Sequence, residues 1–225
     1  MRAGVQLVAT ATALVLAAAP VAAHHVGTYT PRDNEVSANF KQLKYSIQAG
    51  KFDIALQRFE TGAVRKQMQA LGGRLPAGLE DTVASALRAR NGAEAERGLM
   101  ILFAALARDL ALEAERQVTD PASPLEARAA AGRKFLEAIW RYYSLVDFAV
   151  TQHDAKAAVV IRLAYDEAEG YVKDPAVAAG NPGAGAKPAG RAEGPRPDKL
   201  REPLRRIAAT LASIVDHSST TRRQS

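Results

Sequence analysis

The sequence contains no cysteine among its 225 residues. This excludes disulfides, thiolate metal sites, c-type haem attachment and cysteine nucleophiles. The chain also lacks a glycine-rich phosphate loop, a zincin motif and a serine nucleophile elbow. No strand-like alternation of apolar and polar residues is sustained anywhere. We therefore expect an all-α protein without catalytic activity, held together by its apolar core.

The N-terminus has the pattern of a cleaved secretory signal peptide. Residues 1–23 contain one basic residue, Arg2, followed by small and apolar residues and then Pro20. Cleavage is expected after Ala23, which predicts a periplasmic or secreted protein. The apolar run is short for a spanning helix and no second run occurs, so we expect no integral membrane span in the mature chain.

The charge balance narrows the expected partners. Lys and Arg number 30 against 24 Asp and Glu, a formal net charge of +6. Such an excess often indicates nucleic-acid binding. Export and the lack of an aromatic-basic recognition motif argue against nucleic acid here. An anionic membrane surface, an acidic partner or no specific partner remain as alternatives.

Composition divides the mature chain into five parts. We expect an N-terminal arm at 24–30, a helical domain at 31–173, a disordered Pro/Gly/Ala linker at 174–197, an amphipathic helix at 198–216 and a disordered tail at 217–225. The amphipathic helix has three alternatives: docking on the bundle, binding an envelope protein, or lying on anionic lipid. Docking is the default. Its apolar stripe consists of Leu200, Leu204, Ile207, Leu211 and Ile214.

The longest predicted helix runs from Ser123 to Asp154, and we expect the other helices to surround it. Ser123 is the expected N-cap, Pro124 the first helical residue, and Glu126 completes a capping box. Helical spacing places a broad apolar face on this segment. That face consists of Leu125, Ala129, Leu136, Trp140, Tyr143 and Val150, with Asp147 on the same stripe.

Turn signals near Gly50, Gly92 and Asp154 predict three antiparallel helical hairpins in an irregular bundle. The first helix is expected to begin at Thr30-Pro31, and the second to run from Phe52 through Leu71.

The turn that begins at Gly50 resembles the mid-repeat turn of tetratricopeptide hairpins. Gly50, Phe52, Ala55 and Phe59 match that family's positions. The resemblance covers about ten residues, and no 34-residue period follows. It implies a shared way of turning between packed helices.

A metal site is predicted at the mature N-terminus. Cleavage after Ala23 would give His24 a free α-amine beside its imidazole, and His25 adds a third nitrogen. Nitrogen-rich sites of this kind favour Cu(II). The arrangement resembles the N-terminal copper brace of lytic polysaccharide monooxygenases, with the likeness confined to His24 and no oxidative activity implied. His153 is a candidate further ligand, with a helix-terminal or turn role as the alternative.

Charged residues interrupt several apolar helices: Asp109 and Glu113, Asp147, and Arg162 with Asp166 one turn on. One interpretation is salt bridges, pairing Arg162 with Asp166 among others. The alternative is a carboxylate cluster, including Glu169, that resembles ferritin-like di-iron sites, although no Glu-x-x-His pair occurs. Trp140 and Tyr143 either line a ligand groove or belong to the core.

These observations predict an exported, non-catalytic helical binding protein that holds a metal ion, with copper favoured, at its N-terminal histidine pair. The alternative is a structural or protein-interaction module of the cell envelope that uses the helical hairpins and the C-terminal helix.

Overall fold

The computed structural model describes residues 31–172 and 195–220, with side chains described as far as 216. Within these ranges the chain forms eight α-helices and no strand. This confirms the predicted all-α class. The helices are α1 (Glu35–Gln48), α2 (Phe52–Thr61), α3 (Ala63–Leu71), α4 (Leu79–Arg88), α5 (Gly92–Val118), α6 (Leu125–His153), α7 (Ala155–Val172) and α8 (Arg201–Thr220). Short 3₁₀ turns lie at Gly72–Arg74 and Pro197–Leu200.

The three predicted hairpins are present as α1–α2, α4–α5 and α6–α7. Gly50 ends the first turn with a φ of +69°, a left-handed conformation that glycine adopts without strain. Arg90 has a φ of +55° in the second turn, and Asn91 caps α5 by accepting a hydrogen bond from the Glu94 amide. In the third turn Asp154 caps the N-terminus of α7 by accepting a hydrogen bond of 2.9 Å from the Ala157 amide.

The centre of the bundle is α5, so the expectation that α6 is central is wrong. Helix α5 packs against α1, α4, α6 and α8. Every residue from 98 to 107 is buried, around the full circumference of the helix. Helix α6 is the longest helix of the described chain, but only one side of it is buried. Length and an apolar stripe indicate a core-facing helix, whereas an uninterrupted apolar stretch marks the helix that is surrounded.

Two predicted helix starts also need correction. Helix α1 begins at Glu35 because Asn34 and Ser37 form a reciprocal capping box, with hydrogen bonds of 2.9 Å in each direction. Pro31 therefore precedes the helix, and Thr30 lies outside the described residues. Helix α6 begins at Leu125 without a side-chain cap, because the Ser123 hydroxyl donates to Asp120 instead.

The predicted second helix is broken at Gly62 into α2 and α3. Asn39 of α1 spans the break: its Nδ2 donates to the Arg58 carbonyl at 3.3 Å, and its Oδ1 accepts from the Val64 amide at 2.9 Å. The side chain thus satisfies one carbonyl at the end of α2 and one amide at the start of α3. A Cβ on residue 62 would lie 2.2 Å from the Arg58 oxygen and 2.3 Å from Oδ1 of Asn39.

Gly62→Ala is expected to lower the free energy of unfolding by about 1–3 kcal/mol, because the new methyl group overlaps backbone and the bridging amide. Urea unfolding followed by circular dichroism measures the change. Gly73→Ala is the matched control, since a Cβ there meets nothing within 4 Å. Equal losses for the two variants would show that the Asn39 bridge does not set the space at Gly62.

Helix α8 docks on α5 and α7. Docking on the bundle is the first of the three alternatives considered for this helix. Its apolar stripe is buried in the core, including Leu204 at 1 % exposure and Leu211 at 0 %. Pro203 lies in the first turn of α8, where a proline is tolerated because its missing N–H would have no helical partner. The helix extends to Thr220, four residues beyond the predicted end at 216.

The residues just before α8 are ordered against α7. The Arg196 amide donates to the Tyr171 carbonyl at 2.8 Å, and its guanidinium lies 5.4 Å from the centre of the Tyr171 ring. Disorder is therefore a wrong expectation for residues 195–197. The rest of the predicted linker, from 174 to 194, and the tail after 220 lie outside the described residues.

None of the helices in the described ranges combines the length and the apolar character needed to cross a bilayer.

Candidate binding groove

The predicted metal ligands are not brought together within the described chain. His24 and His25 lie outside the described residues. His153 is the exposed last residue of α6, where a basic side chain complements the negative end of the helix dipole. Among residues 31–172 and 195–216, no three His, Asp or Glu side chains converge where they could hold a metal ion.

Asp147 and Arg162 form the main polar contact between α6 and α7. The guanidinium of Arg162 donates to both carboxylate oxygens of Asp147, at 2.8 and 2.5 Å, and also to the Thr151 hydroxyl at 2.8 Å. The expected pairing of Arg162 with Asp166 is wrong, since Asp166 is exposed and the partner of Arg162 lies across the hairpin. This bidentate contact fixes the register of the two helices.

Tyr143 is fully buried on α6, and its hydroxyl has no hydrogen-bond partner of good geometry within the described residues. Burial raises the pKa of the Tyr143 phenol above the ordinary value of 10.0, and the negative charge of Asp147 raises it further. The phenol therefore stays protonated in the folded chain well beyond the pH at which it ionises in the unfolded chain.

This shift predicts a loss of stability at alkaline pH. Above about pH 10 the unfolded chain releases the Tyr143 proton and the folded chain retains it, so the free energy of unfolding falls by up to about 1.4 kcal/mol per pH unit. Tyr143→Phe should remove that contribution and flatten the decline, with little change at pH 8. Urea unfolding at a series of pH values measures it. Tyr45→Phe, at a 68 % exposed position, should keep the wild-type slope.

Three of the carboxylates predicted to cluster, Asp109, Glu113 and Asp147, are instead held separately by arginines. Asp109 is held by Arg108 at 2.8 Å and by Arg74 at 3.0 Å. Glu113 accepts two hydrogen bonds from Arg116 and one from Gln117, and the Arg116 bonds contribute most to lowering its pKa to about 2. Glu169 is buried on α7. These groups stabilise helix contacts and helix surfaces, as the salt-bridge interpretation predicts.

Trp140, Tyr142 and Tyr143 of α6 pack against the core. The Trp140 ring lies 4.9 Å from Tyr165 and 5.9 Å from Tyr143, centre to centre. Tyr142 packs edge-on against Phe103 at 5.6 Å and its hydroxyl accepts from Asn34. Trp140 and Tyr143 therefore pack between helices, as the core alternative predicts.

Large apolar side chains are exposed on the outer side of the α6–α7 hairpin. Phe148 is 71 % exposed, Leu163 63 % and Val159 50 %. Val159 and Leu163 are one turn apart and so share one side of α7. Phe148 follows Asp147 and Leu163 follows Arg162 in the sequence, so each is next to a partner of the ion pair that joins the two helices. We call Phe148, Val159 and Leu163 the hairpin face.

A groove of about 410 Å³ runs beside Phe148, between α1, the start of α5 and the end of α6. Its floor includes buried Met100, and Phe148 stands at its rim. We call it the cationic groove. Its ionisable side chains are Lys44, Glu96, Arg97 and His153. A second groove of about 590 Å³ lies on the other side of His153, between α7 and α8.

Among the groove residues, sequence reasoning gave a functional role to His153 alone, as a candidate metal ligand. Lys44, Arg97 and Phe148 come from three separated helices and share no motif. Phe148 carried the one available signal, since it lies off the apolar stripe of α6. Position relative to the stripe does not reliably identify exposed residues. Leu125 belongs to the predicted apolar face of α6 and is nevertheless 48 % exposed.

The geometry defines an all-α bundle with an exposed apolar face and an adjacent charged groove. No family model, curated protein or solved structure matches the chain.

Proposed function

We propose that the chain is an exported, non-catalytic helical protein of the periplasm or cell exterior that binds another polypeptide. The observation that supports this is the hairpin face, where Phe148 is 71 % exposed beside Leu163 at 63 %. Scattered apolar residues are common on protein surfaces. An aromatic and two aliphatic side chains exposed on one helical hairpin are more typical of an interaction surface, whose core favours aromatic residues.

Binding through the C-terminal helix receives no support from the fold. The apolar stripe of α8 is buried against α5 and α7. Its basic residues are also engaged: Arg205 pairs with Glu115 at 2.5 Å, and Arg206 pairs with Glu167. The proposed partner surface is therefore on the α6–α7 hairpin and does not include α8.

Site-specific photo-crosslinking in the native cell tests the proposed function. A benzophenone amino acid at position 148 or 163 should give the same discrete crosslinked species, because both positions face one partner. The same probe at position 112 is the matched control, since Leu112 is 51 % exposed on a different helix. No crosslink at 148 and 163, or an identical pattern at 112, would contradict a partner on the hairpin face.

A second candidate function rests on His24 and His25, which directly follow the predicted cleavage site. We propose a copper site there, formed by the α-amine and the two imidazoles. Titration with Cu(II) should show tight binding by the processed protein and weak binding by a version with one extra residue before His24. Equal, weak binding by both would reject this site and leave the polypeptide-binding proposal unaffected.

A further inference from the structure

The basic side chains of the cationic groove are free of ion pairs. Arginines elsewhere on the bundle are mostly paired, among them Arg65 with Glu80 and Arg88 with Glu60. Lys44, Arg97 and His153 form no ion pair with any described residue, although they line one groove. Glu96 is the single carboxylate in the lining, so positive groups exceed negative ones even with His153 neutral.

The groove combines this charge with an apolar floor. Met100 is 3 % exposed at its base, and Phe148 extends the apolar surface from the groove to the hairpin face. A ligand that matches both properties carries a large apolar side chain next to carboxylates. From this complementarity we propose that an acidic segment of the partner polypeptide, containing an apolar anchor residue, binds in the cationic groove beside Phe148. This inference rests on the proposed function.

The shape of the site favours a polypeptide over a membrane surface. The groove lies between three helices, and its volume of about 410 Å³ suits a few side chains. A bilayer presents a broad anionic plane and attracts cations that project from a flat or convex surface. On α8, the exposed basic residues Arg201 and Arg205 already form ion pairs with one carboxylate, Glu115. Lys44 and Arg97 line the groove without an ion pair to any described residue, and exposed lysines elsewhere such as Lys66 are likewise unpaired.

The test uses the processed full chain and a fluorescein-labelled peptide in which glutamates flank leucine and phenylalanine. Fluorescence anisotropy measures its affinity for the wild type and for the double charge reversal Lys44→Glu/Arg97→Glu. We expect the reversal to weaken binding about tenfold or more, and added salt to weaken wild-type binding. A matched peptide with glutamine in place of glutamate should bind the wild type more weakly than the acidic peptide.

The control variant is Lys66→Glu/Lys134→Glu, which makes the same change in net charge at two exposed lysines outside the groove. It should bind the acidic peptide within about twofold of the wild type. Circular dichroism and the thermal midpoint confirm that both double variants are folded. Lys44→Gln/Arg97→Gln provides a milder version that should lose part of the affinity.

Several results would overturn the groove proposal: no binding of the acidic peptide by the wild type, equal losses in the two charge-reversed variants, or equal affinity for the glutamine peptide. Binding to phosphatidylglycerol vesicles without binding to the peptide would assign the cations to a membrane. Crosslinking at position 148 distinguishes failure of the groove proposal from failure of the proposed function. Crosslinks that persist in Lys44→Glu/Arg97→Glu would retain the polypeptide partner and reject the groove, whereas their absence in the wild type would reject the proposed function.

Discussion

We expect Phe103→Ala to lower the free energy of unfolding by about 3–5 kcal/mol. Phe103 lies at the centre of α5, is fully buried, and contacts Phe40 and Tyr142 with ring centres 4.5 and 5.6 Å away. Truncation removes both aromatic contacts and leaves a cavity that packed helices on every side cannot close. Urea unfolding monitored by the fluorescence of Trp140, the single tryptophan, measures the loss.

Phe148→Ala is the matched control, with the same chemical change on the surface. Because Phe148 is 71 % exposed, its removal should change the free energy of unfolding by no more than about 0.5 kcal/mol. The pair separates a core phenylalanine from one available for binding. A loss at Phe148 comparable to that at Phe103 would mean that the hairpin face is packed rather than exposed.

The second large effect is expected from Leu211→Glu. Leu211 is fully buried where α8 docks, and a glutamate there would place a carboxylate among apolar side chains without a partner. The variant should lose about 3 kcal/mol or more, by the combined removal of leucine packing and burial of an unpaired charge. Alternatively α8 detaches, which limited proteolysis would report as rapid cleavage near residue 200.

Ala209→Glu is the control for this prediction. Ala209 is exposed on the same helix, so the added carboxylate stays in water and the helix retains its core contacts. Its unfolding midpoint should match the wild type closely. If Leu211→Glu were equally harmless, α8 would not be docked in solution, and the alternative of a free helix that binds a partner would return.

The fold class and the hairpins are predictable because local features determine them. Glycine at position 50 and an Asx cap at Asp154 are recognisable in the sequence whatever surrounds them. The break at Gly62 is different in kind. It depends on Asn39, a residue on another helix, whose amide serves both ends of the break. Hydrophobic periodicity predicts one continuous helix from Phe52 to Leu71, because no residue near Gly62 in the sequence shows that Asn39 bridges a break there.

The candidate site was less accessible to sequence reasoning, for a related reason. Local spacing predicts an ion pair between Arg162 and Asp166. In the structure Arg162 instead forms a bidentate contact with Asp147, which lies across the turn on the neighbouring helix. The cationic groove likewise depends on which side of each helix remains uncovered. Lys44 and Arg97 are distant in the sequence, and only the packing of α1 against α5 and α6 brings them together.

The position of α8 in the chain has a consequence for folding during synthesis. The apolar centre of α5 ends at Ala107, whereas the stripe that covers one of its sides continues to Val215. At ordinary translation rates those residues are made on the order of ten seconds apart. Throughout that interval the most hydrophobic segment of the described chain has no complete set of neighbours. The nascent protein therefore presents a binding site for holding chaperones, and shortening the chain before α8 would make that exposure permanent.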